Sequence, residues 1–238
     1  MRVEEFLAVV GAAPGSSVAP APGSDAAQLA VGLPDPLRGL LLSANGMRVR
    51  DGHYRLLGLE GGDELSLAGW NHPDTWKYAW AGRADQFCCV GMSSLGDQFA
   101  LRRAADGQAL DDGVWLLDGL ELHARRLAPT VAAFLEQLVS LAYGHGNGDL
   151  VDVVELVEGA RERLGSVAAE ELLVVVPPAQ LGMDGMLDRL QRMPARMAMT
   201  LNGDAYHEAI RCQGAQIIGT ELWTDRRGRP RLRFVPHQ

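Results

Sequence analysis

Lysine is almost missing from this chain of 238 residues, which contains 21 arginines and a single lysine, Lys77. A bias of this size is typical of a GC-rich coding sequence, so no arginine is given functional weight for its type alone. A P-loop needs glycines followed by Lys and then Ser or Thr, whereas Lys77 lies in the context WKY. The shortage of lysine therefore argues against an ordinary phosphate-binding loop.

Cysteine and long apolar runs are also scarce. Cys88 and Cys89 are adjacent and Cys212 is distant, so there is no CxxC pair and no even set for a disulfide framework. The chain starts with two glutamates where a signal peptide carries positive charge. No segment approaches the ~20 apolar residues that span a bilayer. We expect reduced thiols in a soluble cytoplasmic protein without a membrane partner.

Positive charge is in deficit, because the net charge is −8. The only basic run is RRGRPRLR near the end, where Arg231 and Arg233 alternate with Leu232 and Phe234 as on the solvent face of a half-buried strand. Binding to a nucleic-acid backbone needs a cationic face, so no direct nucleic-acid partner is expected. An acidic surface instead attracts a basic partner.

The residue types used in catalysis do not form a recognisable motif. No histidine has a second ligand at metal-binding spacing, and the histidines are scattered along the chain as His53, His72, His123, His145, His207 and His237. Cys88 and Cys89 lie in the apolar run FCCV, which favours packing over reactivity. We therefore expect no metal, no cofactor and no enzymatic activity, with an unrecognised enzyme in residues 150–238 as an alternative.

Hydrophobic periodicity divides the chain into three parts and predicts an α+β protein. Residues 1–27 are predicted to form a short helix and a Pro/Gly/Ala-rich linker. Residues 28–144 read as a helix ending at Asn45-Gly46, several antiparallel strands and a closing helix. A glycine-rich break follows, and residues 150–238 read as a C-terminal α+β extension or second subdomain.

Five helices and strands are expected in the C-terminal part after the strand ELLVVV. MDGMLDRLQRM is predicted to be one helix, and RMAMTL a strand. Asn202-Gly203-Asp204 has the composition of a turn and would lead into the helix AYHEAIRC. QIIGTELW and RLRFV are predicted to pair as a hairpin.

The segment GWNHPDTWKYAWAGR, residues 69–83, concentrates three of the five tryptophans. Trp76 and Trp80 lie four residues apart and would share one face of a helix. Burial in the core is the favoured interpretation for these two, with an interface as the alternative. The predicted partner-binding edge of the segment consists of Trp70, Asn71, His72, Lys77 and Arg83.

Several of these features together resemble the SUKH superfamily. They are Leu33-Pro34 before a leucine-rich helix, the ending Ala44-Asn45-Gly46, the segment PDTWKYAWAGR with Gly96-Asp97-Gln98-Phe99 after it, and a closing helix around Phe134-Leu135. The resemblance covers about residues 28–142. It implies an α+β fold with an antiparallel sheet flanked by helices, and a bacterial subgroup linked to contact-dependent or type VI toxin systems in which the SUKH-like part carries a C-terminal extension.

The function implied by this resemblance is immunity, in which the protein binds and neutralises a cognate protein toxin, often a nuclease. Family members act by binding, so the resemblance brings no catalytic residues. An acidic inhibitor suits a basic nuclease, and candidate acidic contacts are Asp111, Asp112, Asp118 and Glu121, or Asp149, Asp152, Glu155 and Glu158. The alternative is a non-catalytic scaffold or regulatory module that binds a cellular protein.

Overall fold

A computed structural model describes residue 6 and residues 31–60, 66–104, 110–143, 149–182 and 185–237. Its helices are α1 (Asp35–Ala44), α2 (Leu67–Trp70), α3 (Val131–Ala142), α4 (Asp149–Leu164), α5 (Met186–Arg189) and α6 (Ala195–Arg211). Short 3₁₀ helices cover Arg50–Gly52, Trp76–Trp80 and Ala179–Leu181. The predicted N-terminal helix and linker lie outside the described residues except for Phe6, which is helical and buried.

The strands form one large sheet and two hairpins. The large sheet has the order β1-β2-β3-β4-β5-β6, with every neighbouring pair antiparallel. Its strands are β1 (Met47–Val49), β2 (Tyr54–Leu56), β3 (Phe87–Ser93), β4 (Gln98–Arg103), β5 (Leu110–Leu117) and β6 (Ala124–Ala128). The hairpins pair β7 (Glu171–Val175) with β8 (Leu190–Pro194), and β9 (Ile217–Thr224) with β10 (Pro230–Pro236). The protein is therefore α+β, as the sequence predicts.

The start of the large sheet explains the Asn45-Gly46 motif. α1 carries Leu37, Leu40 and Leu41 on its buried face and ends at Asn45, which has a left-handed backbone with φ of 35°. The Asn45 side-chain oxygen accepts hydrogen bonds from the backbone N–H groups of Leu59 (2.7 Å) and Glu60 (2.9 Å). This residue stops the helix and also ties its end to the chain after β2.

The large sheet is covered on both faces. On one face, Phe99 of β4 packs against Phe134 of α3 with ring centroids 5.1 Å apart. Neighbouring residues of a strand point to opposite faces, so Gln98 lies on the other face, where its side-chain oxygen accepts a hydrogen bond from Trp70 Nε1 (2.6 Å). The tryptophan segment therefore covers the sheet face opposite α3.

The C-terminal part packs on the same face as the tryptophan segment. Gln98 lies beside Met199 of α6, and the backbone N–H of Leu173 in β7 donates a hydrogen bond to Ser94 O (2.7 Å). One hydrophobic cluster includes residues from α1 and the large sheet together with Leu172 and Met199. The two halves of the chain thus share a core. No helix among the described residues has both the length and the apolar character needed to cross a membrane.

Two elements of the C-terminal part differ from the sequence prediction. Residues 195–211 form the single helix α6, so RMAMTL is helical and Asn202-Gly203-Asp204 lies inside a helix. The predicted helix MDGMLDRLQRM is instead the four-residue α5 followed by β8, because Leu190–Pro194 completes a hairpin with β7. The predicted strand ELLVVV and the β9–β10 hairpin are confirmed.

Candidate functional site

Trp70 belongs to the core, which corrects its assignment to a partner-binding edge. Ser66 caps the short helix α2 by accepting a hydrogen bond from the backbone N–H of Gly69 (3.2 Å). This turn directs the Trp70 ring into the interior, where the side chain is 0% exposed and its indole N–H is satisfied by Gln98. A partner cannot reach it in this structure.

Asn71 is also held in a structural role. Its side-chain nitrogen donates to Cys89 O (2.7 Å), and its side-chain oxygen accepts from Cys89 N (2.7 Å). Both ends of the amide thus bond to the backbone of β3. Asn71 fastens the tryptophan segment to the sheet, and this pairing leaves its amide little capacity for a partner.

Trp76 and Trp80 are core residues, in agreement with the favoured interpretation. They lie on the 3₁₀ helix Trp76–Trp80, pack edge to face with centroids 6.5 Å apart, and are 0% and 3% exposed. Lys77 extends over the Trp76 ring with Nζ 5.7 Å from the centroid, and burial lowers the pKa of its ammonium group. His72 is exposed beside this helix.

Arg83 is exposed at the end of the tryptophan segment and forms one wall of an open cleft. Its guanidinium carbon lies 5.5 Å from the Trp80 ring centroid and 5.8 Å from that of Tyr206 on α6. Arg102 lines the same cleft, and its guanidinium lies over Trp115 at 5.6 Å. We call this feature the arginine cleft. It has a volume of about 390 Å³ and is lined by Trp80, Arg83, Gln86, Phe87, Arg102, Trp115, Glu121, Leu122, His123, Ala124 and Tyr206.

The four acidic residues predicted on the first domain do not form one patch. Asp111 and Asp112 begin β5, whereas Asp118 and Glu121 follow its end, roughly 23 Å away at the usual rise of a strand. Asp112 accepts a hydrogen bond from Val131 N (3.2 Å) at the start of α3. Asp118 accepts from Leu120 N and Glu121 N and so shapes a turn. Glu121 alone of the four reaches the arginine cleft.

The second acidic group lies on α4. Glu155 and Glu158 are exposed on this helix, and Glu158 accepts a hydrogen bond from Arg50 (2.8 Å). That bond and the neighbouring charge of Arg50 lower the pKa of Glu158. The backbones of Asp149 and Asp152 belong to the same helix, while their side chains fall outside the described part.

A second polar cluster, which the sequence interpretation missed, joins three elements. Asp204 of α6 is 4% exposed and accepts hydrogen bonds from Arg231 Nε (2.8 Å), Arg231 Nη2 (2.6 Å) and Leu232 N (2.9 Å). Tyr78 also donates to this carboxylate (3.2 Å), and its ring lies 4.9 Å from the Arg231 guanidinium. Arg231 was predicted on a solvent face, so this ion pair corrects that assignment.

The nucleophilic side chains near the sheet are buried. Burial raises the pKa of the Cys89 thiol, which reduces the fraction of reactive thiolate. Ser93 and Ser94 are 0% exposed, and their hydroxyl groups donate to Asp97 (2.8 Å) and to Gly52 O (2.7 Å). Among the described residues, no group of three His, Cys, Asp or Glu side chains converges as metal ligands would.

Comparison with solved structures gives a likeness that bears on the fold. No family model and no curated protein matches this chain. The crystal structure of Atu4351 from Agrobacterium tumefaciens is similar, with a TM-score of 0.56 and 11% sequence identity over 98% of this chain and 99% of that chain. At this identity the likeness extends to the fold alone. It covers both halves of this chain, so the likeness of fold is not limited to the large sheet.

Proposed function

We propose that this protein is an immunity-type protein related to the SUKH superfamily, which acts in the cytoplasm and neutralises a cognate toxin domain by stoichiometric binding. The observation that carries the proposal is the arginine cleft. It presents Arg83, Arg102 and Trp115 at the surface on a rigid base of sheet and helix. Trp, Tyr and Arg are the residues most enriched among binding hot spots.

The construction of the cleft favours binding over chemistry. Arg83 and Arg102 are always charged, and each is held against an aromatic ring. A stacked arginine has already lost part of its rotamer freedom, so it gives up less entropy when a partner binds. The net charge of −8 adds a long-range field that would speed the approach of a basic toxin domain.

The direct test is coexpression with the toxin domain encoded beside this gene. We expect restored growth and a stable complex of the two proteins on size exclusion. Arg83→Ala should weaken binding by about 2 kcal/mol, roughly 30-fold, if Arg83 is a hot spot. Arg226→Ala is the matched control, because it removes an exposed arginine outside the cleft and should leave affinity unchanged.

Two outcomes would count against the proposal. Failure of both growth rescue and complex formation with the neighbouring toxin would refute it. A gene without any toxin or secretion neighbour, together with a stable complex with a cellular protein, would favour the scaffold function instead. Melting curves of both variants must match that of the parent protein, so that a loss of binding is not a loss of folding.

A further inference from the structure

Arg83 and Arg102, which both line the arginine cleft, differ from the ion-paired arginines of the C-terminal hairpin in their hydrogen-bond partners. Arg231 is paired with Asp204, and Arg229 donates to Asp225 at 2.8 Å. Arg83 donates from Nε to Trp80 O (3.3 Å), and Arg102 from Nε to the Gln86 side chain (3.0 Å). Within the described ranges, neither guanidinium forms an ion pair with a carboxylate.

Within the part of the chain that the structure describes, the ends of both guanidinium groups are therefore available to an acceptor. The Nε atoms are used, and the terminal Nη1 and Nη2 groups of Arg83 and Arg102 have no acceptor among the described residues. A carboxylate can accept two parallel hydrogen bonds from such a pair of N–H groups.

We infer that the arginine cleft binds a polypeptide segment carrying two neighbouring carboxylates, one for Arg83 and one for Arg102. This inference rests on the proposed function in that the segment would belong to the bound toxin domain. The aromatic rings of Phe87 and Trp115 pack edge to face 5.7 Å apart in the cleft and offer an apolar floor for the aliphatic part of acidic side chains. A volume of about 390 Å³ lies in the range of small ligand pockets.

The surroundings favour a peptide carboxylate over a polyanion such as nucleic acid. Glu121 lies at the rim of the cleft, with its carboxylate 3.5 Å from the His123 ring and its side chain 78% exposed. A charged backbone running along this surface would meet Glu121 and the overall negative charge of the protein. A short segment can instead place its two carboxylates on the two arginines and then leave the cleft.

Electrostatic interactions would then act on the partner at two different distances. The overall negative charge acts at long range and favours a basic partner, whereas the two arginines act at contact and select acidic side chains on that partner. Charge-assisted hydrogen bonds in a cleft are worth more than exposed ion pairs. Local contacts can thus set specificity while the net charge sets the rate of encounter.

The test uses the full chain and fluorescein-labelled hexaglutamate, with hexalysine and inorganic phosphate as the other probes. We expect fluorescence polarisation to show hexaglutamate binding at low salt that weakens as NaCl rises from about 50 mM to about 500 mM. Arg83→Gln and Arg102→Gln should each weaken it roughly 10-fold or more. Arg226→Gln, outside the cleft, should have no effect.

Several results would overturn the inference. They are equal binding of hexalysine, hexaglutamate affinity unchanged in both cleft variants, and displacement of the peptide by phosphate at the peptide's own concentration. The last result would indicate an unselective anion site. Melting temperatures within the error of the parent protein are required for each variant.

The same variants separate this inference from the proposed function. If the toxin domain binds the Arg83→Gln/Arg102→Gln double variant as tightly as the parent protein, the carboxylate inference is wrong and the immunity function stands. If hexaglutamate binds through both arginines but the neighbouring toxin forms no complex, the cleft inference stands and the immunity function is wrong.

Discussion

At the scale of single residues, the polar contacts of the tryptophan segment fix its position, whereas its indole rings fill the core. Asn71 bonds to β3, and Tyr78 bonds to Asp204 of α6. His207 places Nε2 2.8 Å from Ala79 O. These polar bonds hold the segment between the sheet and α6, while Trp70, Trp76 and Trp80 supply the buried apolar area.

The buried carboxylate of Asp204 is expected to contribute strongly to the stability of the protein. Asp204→Asn should lower the free energy of unfolding by roughly 3–5 kcal/mol, because it leaves the partly buried Arg231 with only the longer ion pair to Asp225 (3.8 Å). The control is Glu221→Gln on the β9–β10 hairpin, which also carries Arg231. The side chains of Glu221 and its partner Arg233 are both exposed. That change should cost about 0–1 kcal/mol. Urea denaturation of both variants measures the difference, and equal costs would contradict the assigned role of Asp204.

The alternation pattern of β10 predicts which side chains of this strand are buried, with the exception of Arg231. Alternation along β10 correctly places Leu232 and Phe234 in the interior and Arg233 outside. It places Arg231 in solvent as well, because alternation has no information about a carboxylate that approaches from another helix. Asp204 belongs to the motif Asn202-Gly203-Asp204, whose composition predicts a turn. Its partner lies 27 positions along the chain.

At the scale of elements, α6 shows how packing overrides local preference. Asn, Gly and Asp are poor helix formers, yet all three lie in the middle of this helix. Gly203 is needed because a Cβ there would lie 2.4 Å from Ala79 Cβ and 2.8 Å from Ala79 Cα. The helix and the tryptophan segment are in direct backbone contact at this point.

Gly203→Ala is therefore expected to destabilise the protein by roughly 1–3 kcal/mol, although alanine is the better helix former. The matched control is Gly159→Ala in α4, where the added Cβ would meet only the end of the Leu187 side chain at 2.9 Å. A flexible side chain can move, so Gly159→Ala should be neutral or stabilising by up to ~1 kcal/mol. Thermal denaturation compares the two. A stabilised Gly203→Ala protein would mean that α6 is not in close contact with Ala79.

At the scale of the whole molecule, the shared core decides how the two halves depend on one another. A Cβ on Gly96 would lie 3.2 Å from Met199 Sδ and 3.5 Å from Leu172 Cδ1, so the β3–β4 turn is in contact with both α6 and β7. Arg48 of β1 donates to Val167 O (2.7 Å). Both apolar and polar contacts thus join the two halves of the chain.

A chain that ends at residue 143 is expected to lose its cooperative fold. Removing α6 and β7 would expose the outer surface of Trp76, Ala79 and Trp80 to water at about 25 cal/mol for each Å² of apolar surface. We expect binding of a hydrophobic dye and poor dispersion of amide signals in NMR spectra. A sharp melting transition and a dispersed spectrum would instead show that residues 28–144 fold as an independent domain.

Local patterns in the sequence were enough to predict the α+β class, the leucine face of α1 and its stop at Asn45, the closing helix α3 and the β9–β10 hairpin. These depend on periodicity and turn residues, which act over a few positions. Three other features follow from tertiary packing: Trp70 is buried, Asn202-Gly203-Asp204 continues a helix, and Arg83 and Arg102 line one cleft. Each of these outcomes depends on a contact between residues far apart in the chain, where burial and close packing outweigh local propensity.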